Sequence, residues 1–363
     1  MKHSVRLAGA LTAIIVLATT GYTAHALGIV KAQNGPPYVV HRSWGTFHLS
    51  PKIAAKIRAH RPINYVFSYQ GTGVPLFSTQ YRDGYQAGCS AGLKIYPLNC
   101  KAIAPVQTDA NQQIAEIETA FTSGQIDCLS IEPTTSNGFT SITNQIMAKG
   151  IPVFTVGVTS TGHEFTNFTQ VPLIEGKTAA LTVLKFMRQS HRHFTYFAVS
   201  GGDPSQFWAQ GRMTGFMRTI KSAIPNAVFY STPSSALNTT YDPATTYDKA
   251  KAFILGHPKI QVFQNSDIGA EHIDRAIGDT GHRNKAFTVG WNVSKANLSY
   301  IKQGVQIATM DQKWAEQAAF GGRACAQFLA HGKILPNTQR LKVVTKSNVT
   351  KAEKVLEKVL SGH

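Results

Sequence analysis

The sequence predicts an α/β fold of two doubly wound parallel-sheet lobes, and three observations predict it. Residues 126–157 read IDCLSIEPTTSNGFTSITNQIMAKGIPVFTVG. A short apolar run ends in a polar loop, then Phe139, Ile142, Ile146 and Met147 fall at helical spacing, Lys149-Gly150 stops the helix, and a second short apolar run follows. That is strand, helix and parallel strand, with both strands rich enough in β-branched residues to be buried on both faces. Similar units recur on either side. Their apolar runs end in polar loops, and in sheets of this kind ligands sit beyond the carboxyl ends of the strands.

The elements follow in chain order. Residues 27–47 read as an irregular lead-in. Ser50-Pro51 opens a helix to about residue 60, with Ser50 as cap and Pro51 at the first position. A strand over 63–69 ends in the glycine-rich Gln70-Gly71-Thr72-Gly73, which lacks the Gly-Lys-Ser/Thr of a phosphate loop. A helix over 76–93, a strand over 102–105 and a helix over 112–123 lead into the stretch above. Residues 158–169, rich in Thr, Gly and His, read as a crossing. Beyond it, strands are predicted at 194–200, 227–231, 260–264, 286–289 and 306–310. Helices are predicted at 175–189, 207–223, 242–255, 271–278, 294–303 and 315–331. A proline- and base-rich return over 336–346 and a last helix over 348–360 complete the chain.

Residues 1–26 stand apart. Lys2, His3 and Arg6 precede a mostly apolar stretch, and Ala24-His25-Ala26 is a small-x-small cleavage site, so a secretory signal peptide and a periplasmic or otherwise extracytoplasmic destination are expected. The predicted division is therefore 1–26 signal peptide, 27–60 lead-in and helix, 61–157 with 313–335 as the first lobe, and 158–312 with 336–363 as the second. Three crossings are expected, near Gly157, at Asp311-Gln312 and over 334–341.

Composition narrows the function classes. The formal charge is +17, of which Lys2 and Arg6 contribute two, but the bases are scattered with no basic block, so the excess reads as a solvated surface and no nucleic-acid partner is expected. Four cysteines in an exported chain allow three pairings. Cys89 and Cys100, between a helix end and the next strand, are the candidate bridge. No cysteine or histidine spacing suggests a metal, and no nucleophile elbow, zinc-protease or dinucleotide motif suggests an enzyme. Neither a metal nor a cofactor is expected.

The fragments GVPLFSTQYRDGYQAG at 73–88, DANQQIAEIETAFTSGQIDCLSIEP at 109–133, AKGIPVFTV at 148–156, GRMTGF at 211–216, NSDIGAEHIDRAI at 265–277, FTVGWN at 287–292 and IATMDQ at 307–312 carry a resemblance through their order and spacing. The chain resembles periplasmic sugar-binding proteins of the ribose-binding type, the type I solute receptors of ABC importers. The resemblance implies a monomeric, non-catalytic receptor. It would capture a sugar or related polar solute between its lobes and hand it to a membrane permease. The alternative is a sensory protein presenting a non-sugar small molecule, such as a furanone or nucleoside, to a membrane receptor.

The resemblance also implies positions. Leu76 and Phe77 fall where an aromatic packs on the sugar face, with Gln70 in the loop before them. Glu132 falls at a ligand-contacting loop. Arg212 falls where an arginine donates to ligand oxygens. Asn265, Ser266 and Asp267 cover an Asn-Asp position, Gln312 matches the hinge glutamine with Asp311 beside it, and Trp208 is a further aromatic candidate. Trp291 and Trp314 are also expected to line the cleft. Two departures stand out: Gly157-Val158 replaces a family Asp-Arg, and Asn292 replaces an Asp. Both remove carboxylates that would grip hydroxyls.

Overall fold

The computed structural model describes residues 35–36, 38–73, 77–339 and 341–360. The expected signal peptide and Leu76 lie outside the described residues. The chain opens on a hairpin, where an irregular lead-in was expected: β1 (Val39–Arg42) pairs antiparallel with β2 (Gly45–His48). Its connection, Ser43-Trp44, carries none of the Asn-Gly or Asp-Gly chemistry that marks such turns in a sequence. Phe47 packs edge-on against Phe165 and Phe328, which fastens the hairpin to the first lobe. Helix α1 (Pro51–Arg58) follows.

The first lobe is built from β3 (Ile63–Ser68), α2 (Phe77–Leu93), β4 (Leu98–Ile103), α3 (Ala110–Thr122), β5 (Cys128–Ile131), α4 (Thr140–Ala148), β6 (Val153–Val156) and β7 (Asn167–Phe168). Its five strands are parallel, in the order β4-β3-β5-β6-β7. β5 and β6 are buried at every residue, as the continuous apolar runs imply. The β4 strand starts before the expected 102–105. Because β7 pairs with β6, the chain stays in this sheet through Phe168. The first crossing is therefore Thr169–Val171 rather than Gly157. The polar, glycine-bearing segment before β7 hid a two-residue strand whose pairing is set by tertiary contact alone.

The second lobe contains α5 (Pro172–Ser190), β8 (Tyr196–Gly201), α6 (Phe207–Ala223), β9 (Val228–Phe229), β10 (Leu237–Asn238), α7 (Pro243–Gly256), β11 (Val262–Asn265), α8 (Ala270–Asp279), β12 (Phe287–Trp291), α9 (Lys295–Gln303) and β13 (Gln306–Asp311). The chain then forms α10 (Trp314–His331), which packs along α2 of the first lobe, and returns through β14 (Lys342–Thr345) and α11 (Val349–Leu360). The second sheet runs β10-β8-β11-β12-β13-β14, with β9 beside β8. It is not wholly parallel: β14, inside the expected irregular return, pairs antiparallel with β13. Among the described residues no helix is long and apolar enough to cross a membrane.

The three crossings are tied to one another. Gln170 Nε2 donates to the Gln312 carbonyl at 3.0 Å, Asn337 Nδ2 to the Thr169 carbonyl at 2.8 Å, and Thr166 Oγ1 to the Leu335 carbonyl at 2.8 Å. Each lobe also has a pair of helices in backbone contact. Gly84, Gly88 and Gly92 of α2 recur every fourth residue and lie against Ala315, Ala319 and Gly322 of α10. Gly176 of α5 meets the Arg212 carbonyl of α6, and Gly215 of α6 meets that of Leu173. Two disulfides secure the first lobe: Cys89 of α2 to Cys100 of β4, and Cys128 of β5 to Cys325 of α10.

Glycine contact of this kind leaves no room for a methyl group. A Cβ on residue 88 would lie 2.6 Å from the Ala319 carbonyl oxygen and 2.8 Å from its Cα, both backbone atoms. Gly88→Ala is therefore expected to lower unfolding free energy by about 1–3 kcal/mol, read as a reduced denaturant midpoint at unchanged slope.

Candidate functional site

Polar groups gather at the carboxyl ends of both sets of strands, where the fold leaves its ligand crevice. In the second lobe the centre is Arg212, on the second turn of α6 and buried. Its Nε donates to Glu175 Oε2 at 2.5 Å, its Nη1 to the Ser266 carbonyl at 2.9 Å, and its Nη2 to Gln312 Oε1 at 2.5 Å. The guanidinium lies 5.1 Å over the Trp291 ring. An arginine can only donate, so Gln312 must turn its oxygen to Arg212 and its Nε2 onward, which donates to Asn292 Oδ1 at 2.7 Å. The result is a directed chain from Glu175 through Arg212 and Gln312 to Asn292. Arg212 has five N–H groups, and this chain uses three.

Asn292 stands at φ +70°, a left-handed conformation that asparagine tolerates better than most residues. Its backbone is pinned: its N–H donates to the Met310 carbonyl, and its carbonyl accepts from Thr309 Oγ1 at 2.5 Å and Asn297 Nδ2 at 3.2 Å. Its Nδ2 is buried without a partner. The 265–267 triplet divides by role. Ser266 is held by its hydroxyl to the Ser200 carbonyl and by its own carbonyl to Arg212. Asn265 Oδ1 accepts from the Asp267 N–H. Asp267 accepts from Tyr241 Oη at 3.0 Å and lies beside the Trp208 indole. Burial raises the Asp267 carboxyl, while Arg212, the Ile268 N–H, Tyr241 and Trp208 act to lower it. Asp203, on the adjoining strand end, is lowered by hydrogen bonds from Ser205 and Gln206.

The first-lobe group forms around Glu132, at the end of β5. Its carboxyl accepts from the Gln70 N–H at 3.1 Å and from Gln70 Nε2 at 3.0 Å, and its backbone carbonyl accepts from Gln113 Nε2 at 2.9 Å. Burial pushes the carboxyl up to about 8, against the lowering effect of the Gln70 bonds. Phe77 opens α2 with its ring 4.4 Å from Tyr81 and 5.1 Å, edge-on, from Trp314 at the start of α10. Gln80 of α2, Asn292, Gln312 and Trp314 line a crevice at the junction of the lobes.

Thus Arg212, Ser266, Gln312 and Asn292 form one network with Asp267 and Trp208 beside it, and Gln70 and Glu132 form another. Asp311 lines the same crevice as Asn292 and Gln312 without bonding either. Its carboxylate caps the Lys313 N–H at 2.9 Å and faces Lys342 at 3.7 Å. Trp291, expected to line the cleft, is wholly buried in the second lobe beneath Arg212. Sequence reasoning missed Glu175, Tyr241 and Tyr81. Only Tyr81 had a signal, four residues after Phe77 on the same helix face. Among the described residues no group of three or more His, Cys, Asp or Glu side chains could hold a metal ion.

Two predictions follow from burial. Arg212→Ala strands the Glu175 carboxylate, which is 3% exposed. It should lower folding stability by about 3–5 kcal/mol, whereas Arg212→Met with Glu175→Leu should recover most of that loss, both read by denaturant unfolding. Glu132 holds its proton more tightly folded than unfolded, where its ordinary value is 4.5. Its contribution to stability is therefore greatest below 4.5, falls as pH rises toward about 8, and is flat above. Glu132→Gln should remove that slope from a plot of melting temperature against pH.

The fold agrees with known proteins. A family profile described as periplasmic binding protein domain matches residues 71–334. The chain is similar in structure to GanP, a glucose-galactose binding protein from Geobacillus stearothermophilus, at TM-score 0.66 and 17% identity over 79% of this chain and 99% of that one. AraP, an arabinose binding protein from the same organism, gives TM-score 0.66 and 17% identity over 80% and 99%. An ABC transporter solute binding protein from Bacillus halodurans with bound myo-inositol gives 0.65 and 15% over 80% and 96%. No curated protein matches the chain at the level of sequence. With two strand-end polar groups on two lobes, three tied crossings and a profile match over most of its length, the chain belongs to the periplasmic binding protein domain family.

Proposed function

We propose that this protein is an exported, non-catalytic solute receptor of the periplasm. In this reading it binds a sugar or closely related polyol between its lobes and delivers it, as a monomer, to the permease of an ABC importer. The observation that carries the reading is the pairing of hydrogen-bonding groups with aromatic rings on both sides of a tied hinge. On one side stand Arg212 with two uncommitted N–H groups, Asn292 Nδ2, Asp267 and Trp208. On the other stand Glu132, Gln70 and Phe77. A monosaccharide presents the matching surfaces, hydroxyls at its rim and C–H groups on its ring faces. The sugar-binding proteins named above support the same class.

Both lobes contribute, so ligand favours the closed form by its higher affinity for that form. Thr169–Val171, Gln312-Lys313 and the segment before β14 act as the hinge, and their mutual hydrogen bonds keep the three crossings moving together. Replacement of two expected carboxylates by Gly157 and Asn292 shifts the ligand away from one gripped by acidic groups at those positions.

The test is a thermal-shift and calorimetric screen of refolded, ligand-stripped protein against pentoses, hexoses, inositols, nucleosides and furanones. A ligand specific to the folded state at about one hundred times its dissociation constant adds about 2.7 kcal/mol of stability. A monosaccharide or inositol is expected to raise the melting temperature. Response to nucleosides or furanones alone would overturn the sugar assignment.

A further inference from the structure

Gly157 follows β6 at φ +76°, where a glycine is the natural residue. The space beside it is already taken. A Cβ there would overlap the Tyr81 hydroxyl and come within 2.9 Å of Glu132 Cγ. Two side chains from other elements thus fill the space that a side chain at position 157 would need. Tyr81 is otherwise a core residue, 1% exposed, its ring packed on Phe77 and stacked near Phe67 and Tyr69. Its hydroxyl hydrogen-bonds no described residue. A buried phenol usually finds a partner for its O–H, and this one stops short of one at the strand-end wall, beside Glu132.

We propose that the Tyr81 hydroxyl is a ligand-reading group of the cleft, set in the space a side chain at position 157 would fill, and that it selects among monosaccharides at one hydroxyl position. This rests on the sugar-receptor reading above. The groups around it carry no fixed positive charge: Gln70 from the end of β3, Glu132 from β5, Gly157 from β6 and Phe77 from its own helix. Burial raises both the Tyr81 phenol and the Glu132 carboxyl above their ordinary values. The Tyr81 hydroxyl is a neutral group that can both donate and accept. Such a group suits an uncharged hydroxyl or carbonyl oxygen of a ligand. Gly157 is part of the same device, because any side chain there would displace the phenol.

The test is Tyr81→Phe, measured by calorimetry against the monosaccharide panel and the deoxy analogues of its tightest member. Since the hydroxyl bonds none of the described residues, the variant should keep the wild-type melting temperature without ligand. Its affinity for the parent sugar should fall roughly tenfold, the upper end of one neutral hydrogen bond. Its affinity for the analogue lacking the hydroxyl that Tyr81 reads should not fall, so that the two ligands become nearly equal. Unchanged affinities across the series, with wild-type protein binding the parent sugar, would overturn this subsite and leave the receptor reading standing. A uniform loss for every analogue, or a large drop in ligand-free melting temperature, would make Tyr81 structural and also overturn it. Wild-type protein that binds no monosaccharide would overturn the sugar reading and this subsite together.

Discussion

The buried pair of Arg212 and Glu175 is the interaction on which the second half of the site depends. Glu175 lies in the first turn of the helix that begins immediately after the first crossing, and Arg212 lies on the neighbouring helix. Their 2.5 Å contact needs those helices in backbone contact, and Gly176, next to Glu175, makes that possible by meeting the Arg212 carbonyl without a side chain. Such a pair is weak support for stability in itself, because desolvation offsets its attraction. Its effect is orientation. With Nε fixed by Glu175, the rest of the guanidinium can point only toward Ser266 and Gln312, and Gln312 belongs to the second crossing. The helix junction, a strand end and the hinge are thereby set by one planar group.

The first lobe solves the same problem with less charge. Phe77 and Tyr81 sit at the start of α2, whose glycine stripe meets α10, the helix that leaves the second crossing. In each lobe, then, the helix bearing site residues is locked to the helix that emerges from a hinge strand. Close-packed backbones of this kind do not deform gradually.

Much of this architecture was legible in the sequence, and the reason is period. The runs around 63–69, 126–131 and 151–156 are too short and too uniformly apolar for anything but buried strands between helices, and the structure has them there. Short elements held by tertiary pairing were not legible. The β7 and β10 strands are two residues each, β14 hides in a proline- and base-rich return, and the first hairpin turns without a turn signature. At the site, Arg212, Gln312 and Asn292 were placed by motif and share one network. Neither Glu175, 37 positions away from its partner, nor the sorting of Asn265, Ser266 and Asp267 into distinct roles could be read, because both depend on which way side chains turn at strand ends. Gly157 was visible only as a missing aspartate, and what fills its place comes from a helix seventy-odd residues earlier.

The Cys128–Cys325 bridge joins residues 197 positions apart, and nearly the whole second lobe lies within that interval. In connectivity the second lobe is a loop extruded from a covalently closed first lobe. A single backbone cut in any surface turn between the two cysteines leaves one covalently joined molecule, with α10 still fastened to β5. Unfolding of the second lobe likewise leaves α10 covalently joined to β5.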